Sequence, residues 1–407
     1  MKLGKVKKNL LIALSGTALA QLIHLLFTPV LTRMYSPEEF GALALLISLS
    51  GLVTALATAK YDFAIVIAPK DERSYLDRAI FIISTAFMVF LALVSIALFF
   101  YGETQSAIIC IFLSLMAFFR AKYQSKRAIL NSFGQYSSMA QGKVIENSSN
   151  GLIAVLLSLL HINSVGLMIA KTLSFLLPSF FYQKKASSFV EITKDNPIDV
   201  MKKHINFPKY SIASELLTQI NLGFSIFAFT YLYGQEVAGH ISMTTRVLSL
   251  PINFIGLAFL DVFREKATSD YNEHQSFRTI FIKFLLTLSS LAFLGFLTIS
   301  IWGEELFITV LGNQWQTAGE FAAIAILLYS IRLVSSPLSF TYHLAQKQNI
   351  DMLFKLVTLI VSFASIAYAS SAGLQAIECL KYYCFSLSLV HILYIISAFK
   401  YTHRSKA

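Results

Sequence analysis

The sequence predicts an all-α polytopic membrane protein of about twelve transmembrane helices, arranged as two six-helix lobes around a central cavity. Three observations predict it. The 407 residues are 56% hydrophobic and 14% charged, whereas soluble domains carry roughly 25% charged residues. The charges sit in short stretches between apolar runs of about 20 residues, the length a spanning helix needs. One turn of the chain also recurs later at a fixed offset, as a duplicated chain requires.

That turn is Leu31-Thr-Arg-Met-Tyr-Ser-Pro-Glu-Glu-Phe-Gly41, which breaks two apolar runs. Ser36 can cap a helix, Pro37 is preset for its first position, and Glu38 and Glu39 sit at the positive end of the dipole. Its echo is Thr230-Tyr-Leu-Tyr-Gly-Gln-Glu-Val-Ala-Gly239. At an offset of 198 residues, Thr32 meets Thr230, Tyr35 meets Tyr233, Glu38 meets Glu236, Gly41 meets Gly239 and Gln21 meets Gln219. Two lipid-facing hairpins converging on one turn chemistry would also give such matches. A repeat is the usual construction of transporters.

Twelve spans follow: about 10–31, 40–59, 79–100, 106–121, 144–160, 165–182, 207–231, 236–259, 279–301, 317–336, 352–371 and 375–398. In lipid each must be helical, because no water satisfies the backbone there. Ala18-Leu-Ala20 after Lys2, Lys5, Lys7 and Lys8 imitates a signal-peptide cleavage site. The apolar run continues to Leu31, so it reads as an uncleaved first span. Basic residues then set the orientation. With the N-terminus inside, the cytoplasmic connections hold Lys70, Arg78, Arg120, Lys126, Lys184, Lys185, Arg264 and Lys347, among others. Outer loops hold Arg33 and acids such as Glu103, Glu304 and Glu305. Both termini are expected in the cytoplasm. The longest connection falls between spans six and seven. It divides the chain into a first lobe at 1–183, a linker at 184–206 and a second lobe at 207–407, the linker reading as a solvated loop.

The composition excludes several classes. The net charge of +11 falls in loops, with no basic stripe interleaved with aromatics, so no nucleic-acid partner is expected. Cys110, Cys379 and Cys384 form no CxxC, and no metal or cofactor is expected. There is no phosphate-binding GxxxxGK[ST] loop, no HExxH and no GxSxG. No outer loop is long enough for a sizeable catalytic segment.

Four cations remain within spans: Lys171, Arg246, Arg332 and Lys381. A charge at mid-helix costs about 2.5–3.5 kcal/mol on insertion scales, so each needs water or a partner. Snorkelling to an interface is the alternative, strongest for the two lysines. Gln21, His24 and Thr28 share a face of span one, and Ser211, Glu215, Thr218 and Ser225 a face of span seven, with Gln219 beside it. These faces predict a wet cleft with Glu215 as a cation or proton site. A hydrogen bond between helices explains Glu215 and His24 equally. Lys60 and Asp62, closing span two, either pair structurally or form part of a gate.

These residues also carry a resemblance. Arg33-Met-Tyr-Ser-Pro-Glu-Glu-Phe-Gly41, Lys60-Tyr-Asp-Phe-Ala-Ile-Val66, Phe207-Pro-Lys-Tyr210, and Val237-Ala-Gly-His-Ile241 followed by Arg246-Val-Leu-Ser-Leu-Pro251 resemble, in order and spacing, the polysaccharide biosynthesis flippases. The O-antigen type, within the multidrug/oligosaccharidyl-lipid/polysaccharide exporter superfamily, is most similar. The fourteen-helix arrangement of lipid II flippases does not fit twelve spans. The resemblance implies movement of an undecaprenyl-diphosphate-linked oligosaccharide to the periplasmic leaflet of a bacterial inner membrane, by alternating access coupled to an ion gradient. It implies a place in lipopolysaccharide biosynthesis, beside glycosyltransferases and a polysaccharide polymerase. Arg33, Lys60, Asp62 and Arg246 match motif positions, the first three as gate candidates. A drug or cation antiporter of the same superfamily is the alternative transporter, and a membrane polymerase or ligase the alternative enzyme.

The cation census gives a direct expectation. Reporter fusions after Lys185 and Lys400 report cytoplasm, and fusions near Ser36 and Glu304 report periplasm. A periplasmic C-terminus contradicts the twelve-span count.

Overall fold

The computed structural model describes residues 3–189 and 197–403. Lys194 of the expected linker and the terminal Lys2, Arg404 and Lys406 lie outside the described residues. Among the described residues the chain is helical and has no strand beyond an isolated bridge between Ser276 and His403.

The N-terminal helices are α1 (Leu3–Met34), α2 (Pro37–Thr58), a short α3 (Tyr61–Ile67), α4 (Arg73–Phe100), α5 (Thr104–Ser132), α6 (Tyr136–Leu159), α7 (Ser164–Ala186) and α8 (Pro197–Lys203). A π-turn at Phe207–Ser211 leads into α9 (Ile212–Leu248), and another at Ile252–Gly256 leads into α10 (Leu257–His274). Then come α11 (Arg278–Leu311), α12 (Gln316–Leu338), the short α13 (Phe340–Leu344), α14 (Gln348–Ser371) and α15 (Ala376–Lys400). Every expected span falls on helix. Among the described residues nine helices are long and apolar enough to cross a membrane, one of which, Ile212–His274, carries expected spans seven and eight.

The two hairpin turns are built differently. At the first, Ser36 Oγ accepts from the Glu39 amide at 3.3 Å, and Glu39 Oε2 accepts from the Ser36 amide at 2.7 Å. This capping box satisfies two orphan donors reciprocally and starts α2. At the second, Gly234 takes φ 89° and ψ 174°, a region open to glycine. The equivalent tyrosines nevertheless do the same work. Tyr35 donates its hydroxyl to the Ala154 carbonyl at 2.7 Å, and Tyr233 to the Leu374 carbonyl at 3.0 Å.

Compactness divides the chain into Met1–Gly223 and Phe224–Ala407. That boundary lies inside α9, beyond the expected linker at 184–206. The reason is local: the first turns of α9 pack on α2, with Gly223 against Ser48 and Gln219 against Gly51. In the N-terminal unit α4 pairs with α5, α5 with α7 and α6 with α7. In the C-terminal unit α11 pairs with α12, α12 with α15 and α14 with α15. Counted by span, the order is the same: third with fourth, fourth with sixth, fifth with sixth. Buried Leu46, Ile65, Leu76 and Ile129 centre the first core, and Phe263, Phe277, Phe281 and Leu288 the second. Large apolar side chains such as Leu26, Phe90, Phe100, Leu294, Ile360 and Leu393 are exposed, which suits a surface bathed in lipid.

Part of the linker is docked rather than solvated. Val200 on α8 is buried, and the Met201 carbonyl accepts from the Tyr61 hydroxyl at 3.3 Å. Glu72, ahead of α4, pairs with Lys203 and, at 2.7 Å, with His204. Burial alone would raise the Glu72 carboxyl, but these two partners bring it below its ordinary value.

Close packing gives a paired test. A Cβ on Gly142 would fall 2.1 Å from the Tyr182 ring, whose hydroxyl is fixed on the Met139 carbonyl at 2.8 Å. Gly142→Ala is expected to lower stability in detergent by about 1–3 kcal/mol, the usual cost of overpacking. Nothing lies within 4 Å of a Cβ on Gly295, so Gly295→Ala should keep or raise stability. Equal melting temperatures for the two variants contradict the packing of α6 on α7.

Candidate functional site

Ala59 and Lys60, between α2 and α3, both take left-handed backbone, with φ 45° and 54°. Residues with a Cβ enter that region at a cost of about 1–2 kcal/mol each, and such strain clusters at functional sites. Here it breaks the helix and aims Lys60. The ammonium lies 3.9 Å from the centroid of the Phe63 ring and 3.2 Å from Glu215 Oε2. Gln219, one turn further along α9, donates Nε2 to Glu215 Oε1 at 2.6 Å. A Cβ on Gly51 would fall 2.3 Å from Gln219 Oε1. The glycine on α2 makes room for the side chain that holds the acid.

The next cation comes from α5. Arg120 donates Nη1 to Ser50 Oγ at 3.1 Å, and its guanidinium lies 5.8 Å from the Phe175 ring. Both Glu146 and Glu215 act on its charge. Glu146 is buried on α6 and pairs with Lys143 at 2.9 Å and with Lys171 of α7 at 3.6 Å. Lys171 also lies over the Phe175 ring at 4.6 Å. Lys60, Glu215, Arg120, Glu146 and Lys171 thus alternate in sign across five elements of the N-terminal unit. Three cations meet two acids, and Lys143 adds a further positive charge at one end. Beside this row, Asp62 is buried in α3, and its Oδ1 has no hydrogen-bond partner among the described residues. Burial lifts the Asp62 carboxyl above its ordinary value while Lys60 pulls it down.

The structure therefore unites four of the residues singled out in the sequence: Lys60, Lys171, Glu215 and Gln219. Gln21 and His24 are half-buried on α1, where the His24 carbonyl accepts from Thr28 Oγ1 at 2.9 Å. Arg33 is exposed and donates to the Pro29 carbonyl of its own helix at 2.9 Å. Arg246, Arg332 and Lys381 belong to the C-terminal unit. Arg246 is half-buried on α9. Lys381 is exposed on α15 and lines an open depression with Glu378 and Tyr382. Arg332 lies 5.4 Å from the Tyr329 ring at the edge of a separate pocket.

Sequence reasoning misplaced Arg120 and passed over Glu146. The polar run Arg120–Arg127 ends the fourth apolar run and reads as a loop. In the structure α5 continues eleven residues further, to Ser132, because this run has partners: Lys126 and Ser125 both bind Asp77 of α4. The signal that could have found Glu146 is its spacing of three from Lys143, which puts both on one helical face.

A family model described as polysaccharide biosynthesis protein matches residues 30–320. No curated protein matches the chain. Among solved structures, the lipid II flippase MurJ in an inward closed conformation is similar at TM-score 0.72 and 13% identity, over 96% of this chain and 87% of that one. A MOP superfamily transporter from Pyrococcus furiosus is similar at TM-score 0.56 and 14% identity, over 96% and 93%. The MATE transporter ClbM, solved with Rb+, is similar at TM-score 0.54 and 12% identity, over 98% and 94%. At such identities the likeness is one of fold. The chain is thus a multi-pass membrane protein with the fold of these transporters, and it belongs to the polysaccharide biosynthesis protein family.

Proposed function

We propose that this protein is a flippase that moves an undecaprenyl-diphosphate-linked oligosaccharide, an O-antigen unit or similar, from the cytoplasmic to the periplasmic leaflet of a bacterial inner membrane. Both termini face the cytoplasm in this reading, and the protein is a transporter rather than an enzyme. The observation that carries it is the alternating row in the N-terminal unit. A diphosphate is a dense anion that cannot cross hydrocarbon alone. Arginine and lysine bind it with charge-assisted hydrogen bonds, arginine in a bidentate fork. In the empty protein Glu215 occupies Lys60, Glu146 occupies Lys171, and Arg120 rests on Ser50. An incoming diphosphate takes over all three cations, and release returns the lysines to the carboxylates and Arg120 to the hydroxyl. The lysines are thereby kept in register without an unpaired charge.

Glu215 then couples the cycle to an ion gradient, because loss of its lysine partner leaves it a carboxylate seeking a proton or metal cation. Asp62 and Lys60 serve as the gate. Gln219, Gln21 and His24 offer hydrogen bonds to sugar hydroxyls. Arg246 supplies the same phosphate chemistry in the C-terminal unit. The family match supports a lipid-linked cargo over a drug, and so does the surplus of cations. A drug or cation exporter would be expected to hold a surplus of acids.

The test is surface polysaccharide in cells whose only copy is a variant, with abundance followed by immunoblot. Arg120→Gln should abolish polymer at normal abundance, and Arg120→Lys should retain part of it, because a point charge cannot reproduce a fork. Arg246→Gln should reduce polymer likewise. Normal polymer with Arg120→Gln overturns the role of the row. Normal polymer in cells lacking the protein, together with raised drug sensitivity, overturns the flippase reading in favour of drug export.

A further inference from the structure

The C-terminal unit holds a pocket of about 250 Å³ between α12, α14 and α15, which the reading above does not use. Its polar lining comes from Arg332, Ser335, Ser336, Ser339, Thr358 and His391, and its apolar lining from Ile252, Phe354 and Val390. The one acid in the lining is already satisfied: Asp351 accepts from the Tyr394 hydroxyl at 2.6 Å and pairs with Lys355 at 2.8 Å. Arg332 has an aromatic neighbour in Tyr329, and among the described residues it makes no ion pair. His391 Nδ1 lies 3.1 Å from Ser335 Oγ. When Nδ1 accepts from that hydroxyl, Nε2 carries the ring proton and is a donor. The pocket thus gathers a guanidinium and an imidazole beside hydroxyls that rest on their own helices, Ser339 on the Ser336 carbonyl at 2.7 Å and Thr358 on the Phe354 carbonyl at 2.8 Å, with its carboxylate neutralised by others.

From this we infer that the pocket binds a phosphate group, that of an anionic phospholipid headgroup, through Arg332, His391 and the serines of α12. Three observations favour a headgroup. Small-molecule sites usually enclose about 300–1,000 Å³, so this volume takes a phosphate ester and not an oligosaccharide of several sugars. The pocket lies at helix ends, between Ser339 just past α12 and Asp351 in the first turn of α14, where a headgroup can enter while its chains remain along Ile252 and Phe354. Basic pockets between spanning helices on the cytoplasmic side are known headgroup sites, and the cation census puts these helix ends on that side. The inference is independent of the cargo assigned above. It makes a bound lipid part of the packing of α12 against α14 and α15.

Thermal unfolding of the purified protein in neutral detergent tests it, with three probes added separately: phosphatidylglycerol, phosphatidylcholine and inorganic phosphate. Phosphatidylglycerol should raise the melting temperature of the wild type in a saturable way. Arg332→Gln and His391→Gln should each weaken the apparent affinity by about ten-fold or more, the loss expected for a charge-assisted contact. Arg332→Lys should keep part of it. Phosphatidylcholine, whose phosphate is neutralised by choline, should act weakly. A shift with inorganic phosphate alone, lost in the same variants, supports the phosphate site and makes free phosphate its source. No shift with any probe, equal shifts from both lipids, or equal shifts in wild type and variants, overturns the inference. Should Arg332→Gln fail to fold, His391→Gln decides alone, since glutamine keeps a polar side chain of similar length.

Discussion

A charge carried on a membrane helix needs water or an opposite charge, and the N-terminal unit is organised by that requirement. Placing one cation at mid-helix costs about 2.5–3.5 kcal/mol. Two opposite charges near 4 Å attract by about 4 kcal/mol at an effective dielectric near 20. The terms are comparable, so cations on these helices are tolerable when paired and costly when alone. Lys60 with Glu215, and Glu146 with Lys143 and Lys171, meet the condition, and Arg120 is held by the Ser50 hydroxyl. The strained backbone at Ala59 and Lys60 follows, since it turns the lysine toward α9. So does the bareness of Gly51, which admits Gln219. Removing one member of such a buried pair usually destabilises by about 3–5 kcal/mol, because the other charge is left behind.

That same balance makes the row suitable for an anionic cargo. A pair whose attraction roughly cancels its desolvation can be exchanged for another pair at little net change. A diphosphate offers the cations what the carboxylates offer, with more oxygen acceptors. The surplus of cations leaves the row hospitable to an anion even while both acids remain charged. In the C-terminal unit the logic is reversed in detail. There the acid Asp351 is held by a lysine and a tyrosine, and the arginine is left to the pocket.

The helices were legible because hydrocarbon imposes one period and one length. Apolar runs of about twenty residues marked segments that all fall on helix, and Ser36 with Glu39 announced the start of α2. What the sequence hid was which polar residues meet. Arg120 to Arg127 reads as a loop by composition, and only Asp77 on α4 and Ser50 on α2, far away in sequence, reveal it as helix. Glu146 was hidden likewise: only its spacing of three from Lys143 marks it, and its other partner, Lys171, lies on α7. His391 lies inside a strongly apolar run, where a single histidine gives no signal without its partner Ser335. The boundary of the compact units was hidden for a similar reason. It depends on Gly223 and Gln219 fitting against α2, a contact that no local pattern encodes.

The central claim is that the row of cations carries a diphosphate lipid across the bilayer. The most direct measurement uses the purified protein in vesicles loaded with a polyprenyl-diphosphate-linked oligosaccharide. An external glycosidase that cannot cross the membrane then reports how much sugar is exposed over time. With the wild type, exposure should rise beyond the fraction already on the outer leaflet, and with Arg120→Gln it should stay at that fraction. A wild-type protein that leaves the inner-leaflet lipid protected, while an imposed proton or sodium gradient is present, contradicts the account.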